Sequence, residues 1–500
     1  MKYSKLQRRV IIVGGGVSGI AMACRLRRDY NISDYMIYDR QPGMGGTWWA
    51  NTYPGCAVDI PGFCYSYSFA PNPDFMQMFP PQSEILSYLS TVVKRYRVEE
   101  HFTGNTEWVG AEWREKSQTW IVTLRDLVTN VVVTQECQVL ISAVGGLVNP
   151  SIPSIPGLER FQGEVVHTAK WGEGIELEGK RVAVIGNGAS AAQLVPAIVD
   201  KAASVTQFMR SPHHIVSANN YQVSPAYRSA LRHFPILLYL IRVVLFLYME
   251  ITWFRFQNNK LGRMGRASVE KRSREYVQDT APKSYWDLLI PNYEFGCRRR
   301  IFDRGYLSSL HSPKIHLTTD HITSLTATSI QTTSSTIPVD IILLATGFEL
   351  THYDTPITGR NGLSRKQHWE NVGHKATYKS IAMHSFPNFF YILGPNSGRV
   401  YTSTIMIIES QVEMVLQAIR PILLDQASSV EVRADSEREY DVKLHEAIGE
   451  TVHSSECGSY FVDTSTEKNW FVYPWNSVQL WFSTYFGNRG DWVYQGIARI

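Results

Sequence analysis

Arg9-Val10-Ile11-Ile12-Val13-Gly14-Gly15-Gly16-Val17-Ser18-Gly19 runs a β-branched apolar segment straight into spaced glycines. The apolar residues suit a strand buried on both faces of a parallel sheet. Gly14, Gly16 and Gly19 fit G-x-G-x-x-G, and Ile20 to Arg28 reads as the helix whose N-terminal amides would face a pyrophosphate. A second strand, Tyr35 to Tyr38, delivers Asp39 twenty residues after Gly19, where an acid is wanted for a ribose hydroxyl. A glycine triplet alone is a weak signal; strand, helix, second strand and acid in register predict a Rossmann-like unit.

Between Asp39 and Asp59 lie Gly45-Gly46-Thr47-Trp48 and Tyr53-Pro54-Gly55. A glycine pair followed by large aromatic residues suits a backbone that must approach a flat cofactor closely, so a flavin is the first hypothesis. A second dinucleotide motif follows, where Arg181-Val182-Ala183-Val184-Ile185 leads into Gly186-Asn187-Gly188-Ala189-Ser190-Ala191, the G-x-G-x-x-A variant. Its next strand, Ser204 to Met209, ends at Arg210 in place of an acid. An arginine there suits the 2′-phosphate of NADP; a plain surface arginine is the alternative. A flavin reduced by a nicotinamide is the simplest explanation of two such motifs. The cysteines at 24, 56, 64, 137, 297 and 457 include no C-x-x-C or C-x4-C pair to accept its electrons, which leaves oxygen by elimination.

The stretch Phe161-Gln162-Gly163-Glu164-Val165-Val166-His167-Thr168-Ala169-Lys170-Trp171 precedes the second motif. F-x-G-x-x-x-H-x-x-x-W resembles the fingerprint of Baeyer–Villiger monooxygenases, class B flavoprotein monooxygenases, and G-G-x-W-x4-Y-P-G-x3-D at 45–59 resembles that family's longer second signature. The resemblance, strongest to compact fungal members, extends through Ala345-Thr346-Gly347-Phe348 to Pro387-Asn388-Phe389-Phe390 and Gly394-Pro395-Asn396. It implies FAD and NADPH as cofactors. A C4a-peroxide would attack a ketone carbonyl and insert one oxygen from O2, giving an ester or lactone. On the same resemblance Arg299, in Gly296-Cys297-Arg298-Arg299-Arg300, is the active-site arginine, Arg298 helps hold the NADP phosphate, and Asp59 orients Arg299. Three consecutive arginines also fit a solvated face. Phe161, Gly163, His167 and Trp171 are expected at a hinge, with His167 not a proton carrier. Thr52 and Val58 depart from the family pattern beside the expected flavin site. Heteroatom hydroxylation by an N- or S-oxidising flavin monooxygenase is the alternative, and an NADPH oxidase or redox-sensing binding protein a more distant one.

The expected fold is α/β, with two Rossmann-like dinucleotide-binding domains. An FAD domain over 1–150 and 340–500 would be interrupted by an NADP domain over 151–339, with a helical, apolar insertion around 225–290. Ser151-Ile152-Pro153-Ser154-Ile155-Pro156-Gly157 marks the outward crossing, because two prolines favour an extended linker. Within the insertion, residues 236–249 form an apolar run broken by Arg242, short of the roughly 18 to 20 residues of a confident membrane span. A buried helix or a cap over the substrate region is the preferred reading, peripheral membrane contact the second. A net charge of +4 gives no reason to invoke nucleic acid. The polar, basic N-terminus and unpatterned cysteines lead us to expect a reduced, cytoplasmic protein with peripheral membrane association as the variant. Histidine spacing gives no support for a metal site. The expected partners are O2 and an apolar ketone, for which a bulky specialised metabolite is a guess.

Overall fold

The computed structural model describes residues 7–349, 353–454, 460–463 and 465–496. The apolar run before the first glycines forms the strand Gln7–Val13, parallel to Tyr35–Tyr38 on one side and Val132–Ser142 on the other. Val10, Ile11 and Ile12 have no solvent exposure, as a strand covered on both faces requires. This sheet has eight strands. It runs from Ile357–Thr358 through Thr106–Arg114, Thr119–Asp126, Val132–Ser142 and Gln7–Val13 to Tyr35–Tyr38 and Phe102–Thr103, with Phe389–Tyr391 added parallel to Val132–Ser142. Chain from both ends of the sequence therefore builds one sheet.

A second, wholly parallel sheet has the order Ile315–Thr318, Ser204–Phe208, Arg181–Ile185, Ile341–Leu344, Glu164–His167. The α/β fold with one dinucleotide unit inserted in the other is thus the observed architecture. The sequence boundary at 339/340 falls too early: Ile341–Leu344 pairs with Arg181–Ile185 and Glu164–His167, so it belongs to the inserted sheet. A run of four buried aliphatic residues serves either sheet equally well, and only pairing decides. The two crossings lie side by side, Asn149–Pro150 antiparallel to Phe348–Glu349, with Ser151 N donating to Gly347 O (2.9 Å) and Thr346 Oγ1 to Ser151 O (2.6 Å).

Helices Pro225–His233, Pro235–Ile251, Lys260–Thr280 and Trp286–Leu289 occupy the expected insertion. The reading of 236–249 as a buried helix is overturned. Only Leu238 and Met249 of Pro235–Ile251 are buried, whereas Ile236, Tyr239, Val244 and Tyr248 are each more than 60% exposed. The charges explain the inversion. Arg242 turns inward to donate to Phe63 O, Ser66 Oγ and Ser66 O, and Glu250 accepts from Ser477 N and Oγ. With both charges satisfied inside, the outer face is left apolar. Cys24, Cys56, Cys64 and Cys137 are free thiols, as expected, but Cys297 is disulfide-bonded; Cys457 lies outside the described residues.

Candidate active site

The first glycine turn is fixed by backbone contacts that admit no side chain. Gly14 has φ +109, and a Cβ there would lie 2.3 Å from Ala143 O; one on Gly19 would lie 1.9 Å from Gly14 O. Gly46, at φ +56, brings its Cα against Gly16, where an added Cβ would come to 2.7 Å, and Gly45 N donates to Gly15 O (2.9 Å). The 45–59 signature is thereby stitched onto the dinucleotide turn. Asp39, at the end of Tyr35–Tyr38, accepts from Gly15 N (2.6 Å) and Gln41 N (2.7 Å), while burial pushes its carboxyl up. A channel of bare backbone at the N-terminus of helix Val17–Tyr30, with an acid at its rim, fits an adenine dinucleotide.

Beyond Gly46 the short helix Thr47–Ala50 buries Trp48, whose Nε1 donates to the Tyr65 hydroxyl (3.1 Å). The Tyr53-Pro54-Gly55 turn is a joint between the two folds. Tyr53 Oη donates to Gln193 Oε1 (2.8 Å) on helix Ala189–Ile198, and a Cβ on Gly55 would meet Gln193 O at 2.2 Å. Thr52 Oγ1 donates to Trp171 O (3.1 Å), so this departure from the family pattern joins the second signature to the first fingerprint. Val58 is packed in the core of the first unit.

The structure brings Arg299 and Asp59 together across 240 residues, with Arg299 Nη2 donating to Asp59 Oδ2 at 2.6 Å. The Asp59 carboxylate raises the Arg299 pKa further, so the guanidinium is a permanent cation. Tyr460 and Tyr65 lie close enough to feel the Asp59 and Arg299 charges, the Tyr65 hydroxyl being pushed up to about 12 mainly by burial. Trp48, Tyr65, Asp59, Arg299 and Tyr460 thus form one constellation where the two folds meet. Sequence reasoning missed Tyr65 and Tyr460. Tyr65 stands in the aromatic stretch just past the second signature, whereas nothing local marks Tyr460. Arg300, next in the chain, is pushed down to about 10 by burial and lies over the Phe302 ring at 4.8 Å, so the three arginines have three different settings.

Arg298 turns to the other cofactor motif. Its Nη1 donates to Ser211 Oγ (2.5 Å), its guanidinium stacks over Tyr293 at 4.9 Å, and Asn187 Nδ2 donates to Ser211 O (2.7 Å). Arg298 and exposed Arg210 therefore flank the strand end beside the Gly186–Gly188 turn, a basic corner suited to a phosphate monoester. If that corner reads the 2′-phosphate, Arg298→Ala raises KM for NADPH by about 10- to 100-fold, the worth of a charge-assisted hydrogen bond, and leaves KM for NADH unchanged. Steady-state kinetics with the two coenzymes check this; equal losses with both would remove the assignment.

The fingerprint residues sit at the return crossing. Phe161 is buried, and Gly163 is small because a Cβ would meet Asp340 O at 2.2 Å. His167 pairs with Leu344 in register, its Nδ1 accepts from Ala169 N (3.0 Å), and its ring meets Phe348 edge-on. Burial pushes the imidazole pKa down, favouring the neutral form.

Two dinucleotide cradles joined at an arginine–carboxylate pair define a nicotinamide-dependent flavoprotein. The flavin-binding monooxygenase-like family model matches residues 7–228. A Baeyer–Villiger monooxygenase of Pseudomonas aeruginosa is 33% identical over 93% of this chain and 87% of its own length, and the FAD-binding monooxygenase ktnD of Aspergillus niger is 32% identical over 94% and 78%. Among solved structures, that of OTEMO in complex with FAD and NADP superposes with a TM-score of 0.86 at 22% identity, covering 97% of this chain and 99% of that one. The chain belongs to the Baeyer–Villiger monooxygenase family.

Proposed function

We propose that Arg299, held by Asp59, is the catalytic cation of this enzyme and that its substrate is an apolar ketone. The protein is an FAD- and NADPH-dependent Baeyer–Villiger-type monooxygenase. Bound FAD and NADPH supply the electrons that activate O2. The observation carrying the assignment is the 2.6 Å pair itself, with Asp59 contributed by the signature beside the first glycine turn and Arg299 by the loop whose neighbour Arg298 serves the second.

In this reading Gly14, Gly16, Gly19, Asp39, Gly46, Thr47 and Trp48 hold FAD. Gly186, Gly188, Ser190, Arg210 and Arg298 hold NADPH, and Tyr53 and Asp59 act at the joint between them. A guanidinium fixed by a carboxylate places a positive charge where oxygen acquires negative charge during attack on the carbonyl, without needing to gain or lose a proton. Trp48, Tyr65 and Tyr460 would wall the space around it with aromatic surface and exclude water. We divide the chain into FAD-binding segments up to about 150 and from about 345 onward, with the NADP-binding unit between. We place the enzyme in the cytoplasm, with the exposed face of Pro235–Ile251 as its candidate membrane contact. Incubating the yellow protein with NADPH, O2 and a panel of cyclic and long-chain ketones should give products heavier by one oxygen with an ester carbonyl. NADPH consumption with peroxide as the sole product for every ketone would reject the substrate class.

A further inference from the structure

His374, Asp441 and His445 lie in the C-terminal half of the chain and belong to none of the machinery above. Asp441 and His445 are one turn apart on helix Ala434–Gly449, and His374 follows Gly373, whose left-handed conformation (φ +90) ends helix Arg365–Val372 and swings the chain toward them. His374 Nε2 lies 3.0 Å from Asp441 Oδ1 and 3.0 Å from His445 Nε2, and His445 Nε2 lies 3.5 Å from Asp441 Oδ1. All three side chains are largely buried, 11–16% exposed.

Hydrogen bonding accounts poorly for this triangle. A single N–H on His374 Nε2 can point at the carboxylate or at the second imidazole, not both, and two neutral imidazole nitrogens facing each other repel unless one carries the proton. A cation at the centre satisfies all three lone pairs together. Tetrahedral zinc with ligands at about 2.0–2.1 Å places neighbouring donor atoms roughly 3.3–3.4 Å apart, close to the three separations here. Two imidazoles and one carboxylate form a borderline-soft set that suits zinc over magnesium or calcium, which prefer all-oxygen shells.

We propose that His374, Asp441 and His445 bind one zinc ion, with solvent completing the tetrahedron. Lys468, near enough to disfavour charge on His445, is the neighbouring cation that the Asp441 carboxylate must offset. The ion would pin the turn at His374 to helix Ala434–Gly449. The adjacent Lys375 Nζ is 3.3 Å from Asp463 Oδ2, at the foot of the segment that carries Tyr460. Three protein ligands would leave one zinc position to solvent, and the His374 turn is tied through the Lys375–Asp463 pair to the segment that carries Tyr460.

The test is equilibrium dialysis of tag-free, FAD-loaded enzyme against zinc sulfate after chelator treatment, with metal per chain measured by elemental analysis. Wild type should hold one zinc per chain, and His445→Ala, which leaves the His374–Asp441 pair intact, should weaken it by more than about 100-fold, since even an outer partner of a metal ligand is worth 10- to 100-fold. Asp441→Asn should do the same while flavin content stays at one per chain. Zinc should raise the wild-type melting temperature and leave both variants unmoved. Equal zinc content in wild type and His445→Ala, or a melting temperature that zinc does not shift in wild type, would overturn the proposal in favour of a hydrogen-bonded cluster.

Discussion

Arg299→Ala binds FAD and oxidises NADPH but forms no ester, its electrons leaving as hydrogen peroxide. In the proposed assignment Gly14, Gly16, Gly19 and Gly46 would hold FAD and Arg298 and Arg210 the coenzyme, and the contacts that fix the glycines and Arg298 do not involve the Arg299 side chain. What the substitution removes is a cation held at 2.6 Å from Asp59, near Tyr460. Loss of one preorganised donor at a site of developing negative charge costs about 10²- to 10³-fold in rate, and leaving Asp59 as an unpaired carboxylate in its place opposes the same charge, so the loss should reach the upper end. Lysine should restore little, because a flexible, strongly hydrated ammonium lacks the planar fork that fixes Arg299 against Asp59. Stopped-flow measurement of flavin reduction separates the outcomes. Reduction within about threefold of wild type with ester below about 1% fits a role after reduction. Ester at the normal rate would end the assignment, and slow reduction would move Arg299 to the coenzyme.

The glycine motifs were legible because they encode backbone contact directly. Gly14 and Gly19 are required by distances of 2.3 and 1.9 Å that any Cβ would violate, and such a requirement shows in one sequence. The Tyr53-Pro54-Gly55 turn shows where this reading stops. The stretch containing it was expected to approach a flat cofactor, whereas Gly55 lies against Gln193 O of the second fold, a partner that no local pattern names. Arg299 and Asp59, 240 residues apart, were legible only through resemblance to a family. The apolar run at 236–249 gave its helix but not its environment, because Arg242 and Glu250 ordinarily mark a solvent face and here mark the inner one. His374, Asp441 and His445 were missed for the same reason: only the Asp441–His445 spacing is local, and the third member arrives by way of a turn.

Gly46→Ala yields a folded protein that is purified without its flavin. Gly46 has φ +56 and ψ −120, the conformation of the first central residue of a type II′ turn, which β-carbon-bearing residues avoid at a cost of about 1–3 kcal/mol. The added Cβ would also stand 2.7 Å from Gly16 Cα, and because that neighbour is backbone, no rotamer change relieves the contact. Relief comes only by parting the signature from the dinucleotide turn, which breaks the Gly45 N to Gly15 O hydrogen bond and would widen the proposed flavin cradle. The combined cost should exceed about 2.7 kcal/mol, a hundredfold loss of FAD affinity. Gly174→Ala separates conformational strain from the clash, since Gly174 has φ +87 with nothing within 4 Å of the added carbon. That variant should keep one FAD per chain. If Gly46→Ala also keeps it, the contact between the two glycine motifs does not shape the flavin site. If Gly46→Ala loses FAD but retains native circular dichroism and regains colour at high FAD concentration, the loss lies in the cradle and not in the fold.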